Sequence, residues 1–405
     1  MKYSIKELIV EKISGEWGDE PVNGEGNKII RTTNFTNSGI IDYEKIVTRK
    51  IDENKVLKKH LKKGDVIIEK SGGSPKQPVG RVVYFDLDTD EKLLCNNFTA
   101  ILRPNEKLVI PKFFFYQLLI AHYTGRTLKY QNKTTGIINL QLDKYLETKI
   151  DVPSLSNQLH IANILSKAES LIAQRKESIA LLDEFLKSTF LEMFGDPVRN
   201  DKSFKKVRFG DYITNIIAGS SYGGQKKETL KEDEFGVLKV SAVTWGVFNP
   251  KEFKVINVKD LKGEIINPKK GDLLFSRANT MELVGATCIV DKDYPRLFLP
   301  DKLWNIELKE GELNKMFIHY LFKNKTFKNI LTREASGTSG SMLNISMEKL
   351  RNVKFSIPPI SLQNKFARIV EKTEALKTQY QCSLQELENL YGSLSQKAFK
   401  GELVV

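Results

Sequence analysis

Asp301, Glu307 and Lys309 form the nearest approach in this sequence to a cluster that could carry out chemistry. Two carboxylates followed by a lysine bind a metal ion in many nucleases. In this chain the spacing is very short, and the related segment of the first half has Asn96 and Asn97 instead of carboxylates. We therefore predict no catalytic site and no metal site at these residues.

Other catalytic signatures are equally weak. The sequence contains no GxxxxGK[ST] phosphate loop, so ATP-driven chemistry is not expected in this chain. Residues 356–360 include the paired prolines of an amino-methyltransferase motif, but the polar residue before them and the aromatic residue after them are missing. The histidines show no mutual spacing suited to zinc; they are His60, His122, His160 and His319.

Composition limits the class of protein. The 63 lysines and arginines exceed the 50 acidic residues and give a net charge of +13, which suits nucleic acid but also ordinary solubility. Cys95, Cys288 and Cys382 are odd in number and far apart, so a reducing compartment fits better than a disulfide framework. The N-terminus lacks the apolar run of a signal peptide, and no stretch approaches the ~18 apolar residues of a membrane span. We expect a cytoplasmic protein.

The second half of the chain repeats the first. From Asn139 onward the repeat has a constant offset of 205 residues for over forty positions. Such self-similarity at the scale of a domain predicts two copies of one fold. The matching residues are Asn139, Pro153, Gln158, Ala162 and Ile164 in the first copy, and Asn344, Pro358, Gln363, Ala367 and Ile369 in the second.

The loops between the repeated anchors differ. Residues 62–68 correspond to residues 269–275, yet residues 71–77 of the first copy share little with residues 277–282 of the second. A common frame that carries dissimilar loops is expected of two recognition modules with different targets. Drift in tolerant surface loops remains the alternative explanation.

Two long segments should be helical. Residues 154–194 contain no Gly or Pro, and apolar side chains recur there at intervals of seven, which predicts a helix with one apolar seam. Residues 360–391 form a second, weaker seam with Thr373 and Lys377 in it. We expect the two helices to pack on each other, antiparallel, within one chain; a parallel coiled coil between chains is the alternative. The predicted seam residues are Ile161, Leu165, Ala168, Ile172, Ile179, Leu182, Leu186 and Met193, then Phe366, Val370, Leu384, Leu387, Tyr391 and Leu394.

The remaining segments predict α/β domains. Short runs rich in β-branched and aromatic residues are typical of strands, and residues 111–123 and 313–325 should be helices. Tyr116 and Tyr320 occupy similar places in these two helices, where we expect buried aromatic rings. The predicted strands are residues 65–68, 80–85, 100–102, 236–240, 272–276, 286–290 and 303–306.

Two segments carry a resemblance to a known family. Residues 191–200 (LEMFGDPVRN), between the halves, and residues 394–403 (LSQKAFKGEL), near the end, look like segments of the specificity subunits of type I restriction-modification enzymes. The tandem plan is similar over the whole chain. The resemblance implies two target-recognition domains, residues 1–153 and 196–357, followed by two helical spacers, residues 154–195 and 358–405. The two helices would form an antiparallel intramolecular coiled coil with pseudo-two-fold symmetry.

The resemblance also implies function and partners. Each target-recognition domain is expected to read one half of an asymmetric, bipartite sequence in double-stranded DNA from the major groove. The helices are expected to set the unread gap and to dock two methyltransferase subunits, through which restriction subunits join. The chain itself is expected to be non-catalytic, so S-adenosylmethionine, ATP and magnesium would be bound only by partner subunits.

Candidate DNA contacts come from loop chemistry. Phosphates are bound by Lys, Arg, Ser, Thr and backbone N–H groups, whereas bases are read by Arg, Lys, Asn or Gln. In the first domain we predict Arg31, Thr33, Asn34, Lys70, Ser71, Lys76, Gln77, Arg126, Lys129, Tyr130, Gln131 and Lys133. In the second we predict Ser220, Ser221, Tyr222, Gln225, Lys226, Lys227, Arg277, Asn279, Thr280, Arg333, Ser336, Thr338 and Ser339.

Three other functions remain open at this point. The first is a coiled-coil adaptor whose globular parts bind proteins rather than DNA. The second is an enzyme with a cryptic nuclease site. The third is a specificity subunit that serves only methylation because no restriction partner exists.

Overall fold

The chain divides into two compact units. The computed structural model describes residues 1–74, 77–134, 137–336, 342–399 and 402. Unit 1 comprises Met1–Arg175 with Ser383–Val405, and unit 2 comprises Lys176–Cys382. Both combine short strands with helices, so the predicted α/β class is confirmed. Within the described residues, no helix is long and apolar enough to span a bilayer.

Unit 1 contains short strands followed by a long helix. Its strands are β1 (Lys2–Ser4), β2 (Ile9–Ser14), β3 (Asn27–Ile30), β4 (Val47–Arg49), β5 (Val66–Glu69), β6 (Ser71–Gly73), β7 (Val82–Tyr84), β8 (Leu94–Cys95), β9 (Thr99–Pro104), β10 (Gln131–Thr134), β11 (Ile137–Leu140) and β12 (Lys149–Asp151). Its helices are α1 (Glu53–Lys59), α2 (Pro111–Tyr123), α3 (Leu142–Leu146), the first part of α4 (Leu155–Phe194) and the last part of α8 (Ile360–Phe399).

The centre of unit 1 is an antiparallel sheet in the order β2-β9-β5-β7. Strand β5 is buried along its length because alternate side chains enter different cores. Val66 and Ile68 pack in the core that contains Phe113 and Phe114 of α2, whereas Ile67 packs in the core on the opposite face. A second sheet has the order β4-β3-β8, and a third has the order β10-β11-β6.

Unit 2 has the same plan. Its strands are β13 (Lys205–Arg208), β14 (Ile213–Ala218), β15 (Glu234–Leu238), β16 (Phe253–Asn257), β17 (Leu273–Ser276), β18 (Ala278–Asn279), β19 (Thr287–Ile289), β20 (Leu297–Phe298), β21 (Leu303–Leu308), β22 (Leu343–Asn344) and β23 (Lys354–Ile357). Its helices are the last part of α4, then α5 (Lys315–Lys323), α6 (Lys325–Glu334), α7 (Met347–Asn352) and the first part of α8.

The two units repeat one topology. The sheets β14-β21-β17-β19 and β16-β15-β20 of unit 2 match β2-β9-β5-β7 and β4-β3-β8 of unit 1, including the parallel pairs β3 with β8 and β15 with β20. A close backbone approach recurs as well. A Cβ on Gly15 would lie 2.0 Å from the carbonyl oxygen of Asn96, and one on Gly219 would lie 1.9 Å from that of Leu299. The sequence repeat is therefore a repeat of fold.

One predicted helix is divided in two. Instead of a single helix over residues 313–325, α5 ends at Lys323 and α6 begins at Lys325. Asn324 lies between them in an extended conformation, and its side-chain oxygen accepts hydrogen bonds from Thr326 N at 3.0 Å and Phe327 N at 3.2 Å. A capping asparagine starts a new helix without any Gly or Pro, so the break gave no strong signal in the sequence.

The long helices α4 and α8 pack along the predicted seam. None of the fourteen predicted seam side chains is exposed. In unit 1, Ile161 and Leu165 share a core with Ala398, and in unit 2, Leu186 shares a core with Val370. Gly195, with a φ of +71°, follows the last residue of α4, as expected of a glycine that ends a helix.

The two helices are antiparallel and belong to the same chain. In unit 2 the ring of Phe366 lies 5.4 Å from that of Phe194, and Lys377, farther along α8, pairs with Asp183, farther back along α4. In unit 1 the hydroxyl of Tyr391 donates to Glu169 Oε1 at 2.9 Å. The contacts move backward along α4 as they move forward along α8. The structure therefore contains the intramolecular pair.

A buried glutamine holds the start of each long helix. Gln158 Oε1 accepts from Ile110 N at 2.8 Å, and its Nε2 donates to Pro153 O at 2.9 Å. Gln363 makes the same pair of contacts in unit 2, with Asn314 N at 2.9 Å and with a proline carbonyl at 2.8 Å. Each glutamine joins the beginning of a long helix to the N-terminus of α2 or α5. This explains why it recurs in both copies.

We expect Gln363→Leu to destabilise the chain by about 2–4 kcal/mol, because a buried N–H group and a buried carbonyl would each lose a partner at about 1–3 kcal/mol. The measurement is urea unfolding of the complete chain. The control is Lys365→Gln, an exposed position two residues later, which should change the free energy of unfolding by less than about 0.5 kcal/mol. Equal urea midpoints for Gln363→Leu and the unaltered chain would contradict this role.

Candidate nucleic-acid interface

In unit 1, one small sheet joins two of the three predicted DNA-contact segments. Strand β5 continues through Lys70 into β6, which pairs with β11, and β11 also pairs with β10. Ser71 lies opposite Asn139, and its hydroxyl donates to the side-chain oxygen of that residue. The repeated asparagine thus connects the segment after β5 with the segment that contains Gln131.

Arg81 brings the remaining segment to the same place. Its guanidinium donates to both carboxylate oxygens of Glu69, at 2.8 and 2.9 Å. It also donates to the carbonyl oxygens of Thr32 at 3.1 Å and Phe35 at 3.3 Å. The loop after β3 is therefore fixed to the end of β5. Since Arg81 and Glu69 are both buried or nearly so, removing either would leave the other charge without a partner.

The predicted residues of unit 1 differ in accessibility. Thr33, Gln77, Arg126 and Lys129 are exposed, and Arg31, Lys70, Ser71, Tyr130 and Gln131 are half-buried. Lys76 lies outside the described residues, and Lys133 belongs to β10 but its side chain is not described.

Asn34 does not fit the predicted role. It is only 1% exposed, its Oδ1 accepts from Arg31 N at 2.9 Å, and its Nδ2 donates to Asp42 O at 3.0 Å. Both ends of the amide shape the loop, and its burial keeps the side chain away from a base. Its polar side chain in a loop suggested binding, whereas burial shows a structural function.

Three half-buried candidates are also held by the protein. The hydroxyl of Tyr130 lies 2.6 Å from Thr148 Oγ1, and Gln131 Nε2 donates to Val79 O at 3.1 Å. Lys70 Nζ donates to Ser14 Oγ at 3.1 Å, and partial burial lowers the pKa of this lysine. These contacts orient the side chains at the end of β5.

Unit 2 builds the equivalent site with different residues. Strand β17 continues through Arg277 into β18, which pairs with β22. Ser336 and Asn344 exchange backbone hydrogen bonds of 2.9 Å, and Ile345 N donates to the carbonyl of Arg277 at 2.9 Å. Arg277, Asn279 and Ser336 are thereby brought together. Arg333, exposed in α6, lies three residues before Ser336, whereas Thr338 and Ser339 lie outside the described residues.

Arg277 occupies the place that Lys70 has in unit 1. Its guanidinium carbon lies 5.7 Å from the centre of the Trp304 ring, and the residue is half-buried. Its buried Nε has no hydrogen-bond partner within the described residues. Asn279 next to it donates from Nδ2 to Thr244 Oγ1 at 3.4 Å and accepts from Thr280 N at 2.9 Å. An arginine held against an aromatic ring is well placed to bind a planar acceptor.

The segment of residues 220–227 lies along a different strand. Gln225 bridges to Val255 of β16, and the hydroxyl of Tyr222 accepts from Lys262 N at 2.9 Å. Ser220, Ser221, Tyr222, Gln225 and Lys227 line a cavity of about 960 Å³. The ring of Tyr222 packs edge-on against Phe298 at 5.4 Å, so this tyrosine supports the segment.

Sequence reasoning missed the loop after β15. This loop, residues 239–252, corresponds in topology to the loop after β3 that contains Arg31 and Thr33. Its Thr244 accepts the hydrogen bond from Asn279, and the adjacent Trp245 is 78% exposed. A tryptophan between a threonine and a glycine, in a segment between two predicted or observed strands, was the available signal.

The nuclease-like cluster has no supporting group. Asp301 lies in a turn, and Glu307 lies in β21 opposite Asn215 of β14. Among the described residues, no three His, Cys, Asp or Glu side chains come together in a way that could hold a metal ion. His319 is buried beside Thr287, with Nδ1 2.9 Å from its hydroxyl, and burial lowers its pKa to about 3.

Comparison with known proteins agrees with a duplicated recognition fold. The sequence model of a family described as the type I restriction modification DNA specificity domain matches residues 13–181 and 202–389. The specificity subunit of the type I restriction enzyme EcoKI from Escherichia coli strain K12 is 26% identical over 367 residues, which are 84% of this chain and 75% of that protein.

Solved structures share the fold. The S subunit of a type I restriction-modification system from M. genitalium has a TM-score of 0.59 at 17% identity, over 98% of this chain and 96% of that one. A chain from work on complex assembly and conformational transition of the type I R-M system has a TM-score of 0.54 at 17% identity, over 99% and 98%. The two matched segments of the family model fall one in each half of the duplicated fold. The chain belongs to the type I restriction-modification DNA specificity domain family.

Adjacent lysines allow a matched prediction. We expect Lys226→Ala to weaken binding to all duplexes alike and to reduce the slope of log affinity against log salt by about one. Lys227 is the control because its Nζ lies 2.7 Å from Glu234 Oε1, and this hydrogen bond is the main cause of the lowered pKa of Glu234. Lys227→Ala should change the slope by less than half as much. A loss confined to one DNA sequence would show that Lys226 is not a phosphate contact.

Proposed function

We propose that this chain is the non-catalytic DNA sequence-specificity subunit of a type I restriction-modification system. Residues 1–153 and 196–357 act as target-recognition domains, and residues 154–195 and 358–405 act as spacers. Each domain reads one half of a bipartite target in the major groove. The chain binds neither S-adenosylmethionine nor ATP nor magnesium, which belong to partner subunits.

The observation that carries the proposal is one frame with two different sets of side chains. Lys70 and Arg277 follow equivalent strands, and Asn139 and Asn344 pair with the segments that come next. Beyond these anchors the segments of the two copies differ in residue type and in length. Positions that are repeated in both copies and shape the frame, together with different residues at its exposed end, suit two half-sites of unlike sequence.

Arg277 is the residue best suited to read a base. A guanidinium can donate two parallel hydrogen bonds to O6 and N7 of guanine, and the Trp304 ring limits its movement. Thr33, Gln77, Arg126 and Lys129 in unit 1, and Ser220, Ser221, Lys226, Thr280, Arg333 and Ser336 in unit 2, supply further exposed donors. Arginine, lysine, serine and threonine provide most contacts to DNA phosphates.

The long helices suit the role of a spacer. Each has 40 residues, or roughly 60 Å at the usual rise per residue. This exceeds the ~34 Å of one turn of DNA. Because the helices pair within the chain, the spacer does not depend on a second copy. Its fixed length would fix the number of unread base pairs.

Exposed apolar side chains on the helices offer docking positions for partners. Leu171 and Leu390 in unit 1 are 43% and 51% exposed, and Phe185 and Leu376 in unit 2 are 49% and 36% exposed. Each of these four residues comes directly before a residue of the helix seam in the sequence. In an antiparallel pair, positions that precede the seam lie on one side of it. The contact between Tyr391 and Glu169 also brings Leu390 level with Leu171.

We therefore propose that one methyltransferase subunit docks on each exposed pair, Leu171 with Leu390 and Phe185 with Leu376. Burying a leucine side chain is worth about 1.5–3 kcal/mol, so two in a protected interface make a substantial contribution. Isolated exposed apolar residues are ordinary. These four residues differ from isolated ones because each unit has an exposed pair at the equivalent place.

Mapping of modified bases tests the function and Arg277 together. The chain is co-expressed with its methyltransferase partner, and modified bases are mapped across the genome of the host cell. We expect a two-part motif with a constant gap. Arg277→Ala should cost about 1–3 kcal/mol and relax one half of that motif, because one bidentate contact is lost. An undivided motif would overturn the proposed function, and an unchanged motif in the variant would remove Arg277 from the reading set.

Partner stoichiometry tests the docking pairs. Leu171→Ser with Leu390→Ser should weaken one of two methyltransferase sites by about 3 kcal/mol or more, and native mass spectrometry at low concentration should then detect one bound subunit. The variant Phe185→Ser with Leu376→Ser should lose the other. The control is Leu159→Ser, which is 50% exposed but lies on the other side of the seam. Two subunits bound to both double variants would refute the assignment.

A further inference from the structure

Unit 2 contains an open groove that none of the predicted reading residues lines. It has a volume of about 610 Å³. One wall is the part of α4 that includes Asp183 and Lys187, and the other is the loop after β15 with Trp245 and Val247. We call this feature the lysine groove. All of its lining residues belong to unit 2.

Four lysines give the groove its charge. Asp183 is the only acidic side chain among the lining residues described, and it is paired with one of the lysines, Lys377. Lys187 is paired with Glu184, one turn back on an exposed surface, where such a pair contributes little. Lys323 Nζ lies 5.0 Å from the centre of the Tyr320 ring, near Glu374 and Asp183, whereas Lys325 is exposed. The lysines are Lys187, Lys323, Lys325 and Lys377.

An exposed aromatic residue stands among these charges. Trp245 is 78% exposed and Val247 is 67% exposed. Gly246 between them has a φ of +76° and lies so close to Lys323 that a Cβ would come within 3.2 Å of the lysine side chain. The loop is therefore held over the end of α5 with the indole ring outward. A groove that combines cations with an aromatic surface is typical of sites for nucleic acid chains.

The groove begins next to the proposed reading site. Thr244, the residue before Trp245, accepts a hydrogen bond from Asn279, and Asn279 follows Arg277 by two residues. DNA held at Arg277 would have its continuing backbone close to this loop. The groove thus extends the interface beyond the bases that the loops can reach.

We propose that the lysine groove binds the sugar-phosphate backbone of DNA next to the half-site read by unit 2, without reading its sequence. Lys187 and Lys325 neutralise phosphates, and Trp245 packs against a deoxyribose ring. This inference rests on the proposed function. The lysine groove would give unit 2 a DNA-binding site that does not depend on sequence, in addition to the loops that provide specificity.

Lysine content favours DNA over a protein as the occupant. The cores of protein interfaces are depleted in lysine because burying an ammonium group is costly. Phosphates, in contrast, remain partly hydrated, and their neutralisation releases condensed counterions. An acidic segment of a partner protein is the competing occupant, and the experiments below distinguish the two.

The first test changes the two groove lysines that have little internal role. Lys187→Gln with Lys325→Gln in the assembled complex should reduce the salt slope of DNA binding by about two. When salt rises from roughly 50 to 200 mM, the factor by which DNA affinity falls should be about ten times smaller for this variant than for the unaltered complex. Targets and unrelated duplexes should be affected alike. Lys205→Gln with Lys354→Gln removes the same charge from exposed residues of β13 and β23 and should leave the slope unchanged.

The second test follows Trp245 directly. Of the three tryptophans, Trp304 is buried at 1% exposure and Trp17 is covered by Arg49 at 4.5 Å, so iodide should quench mainly Trp245. We expect target DNA to protect this fluorescence from iodide. Trp245→Phe should abolish the protected component and weaken the affinity for DNA severalfold. Adding the methyltransferase subunit without DNA should leave the quenching as it was.

The outcomes separate the inference from the proposed function. Protection by the methyltransferase subunit alone would make the groove a protein interface and overturn the DNA assignment. The DNA assignment would also be overturned if the lysine variant kept the salt slope of the unaltered complex and if iodide still quenched Trp245 fully with DNA bound. In both cases a two-part methylation motif would leave the proposed function intact. If the unaltered complex gave no two-part methylation motif, the proposed function on which the groove depends would instead be refuted.

Discussion

The pairing of α4 with α8 is the constraint on which the rest of the structure depends. Each helix has an apolar stripe that a single helix cannot bury, and most helical stability in proteins comes from packing such a stripe. Ile161, Leu165 and Ala398 complete the core of unit 1, whereas Leu186, Phe366 and Val370 complete that of unit 2. Each core therefore needs residues from both helices, which are far apart in the sequence. Neither half of the chain supplies a full core alone.

Polar contacts beside the seam determine which parts of the helices meet. Glu169 accepts from Tyr116 at 2.6 Å and from Tyr391 at 2.9 Å, and burial, the first cause, together with this carboxylate raises the pKa of both tyrosines. In the repeat, Glu374 takes the place of Glu169 and is hydrogen-bonded to Tyr320, but Leu186 replaces Tyr391. Lys377, a lysine within the seam, pairs with Asp183 instead. The two ends thus use different polar partners.

The sequence predicted the frame better than the site, for physical reasons. Periodicity marks buried faces, so the seam and helices such as α2, whose bounds agree with residues 111–123, could be recognised. The boundary at Asn324 could not, because an asparagine caps a helix only if its side chain turns back to the next N–H groups. Asn34 was misjudged for the same reason. A polar side chain in a loop is compatible with binding or with holding the loop, and only burial and hydrogen-bond partners decide between them.

The duplicated frame explains why exposed side chains can differ between the units while the fold does not. Gln158 and Gln363 hold the helix starts, and Gly15 and Gly219 permit the same backbone approach; these positions have no freedom to change. Lys70 and Arg277, at the ends of equivalent strands, are limited only by the segment that pairs beside them. Side chains there contribute little to either core, so they can be exchanged at little cost in stability. Trp245 extends the same reasoning: its indole ring is 78% exposed and so contributes little to any core, and this position too can be exchanged at little cost in stability.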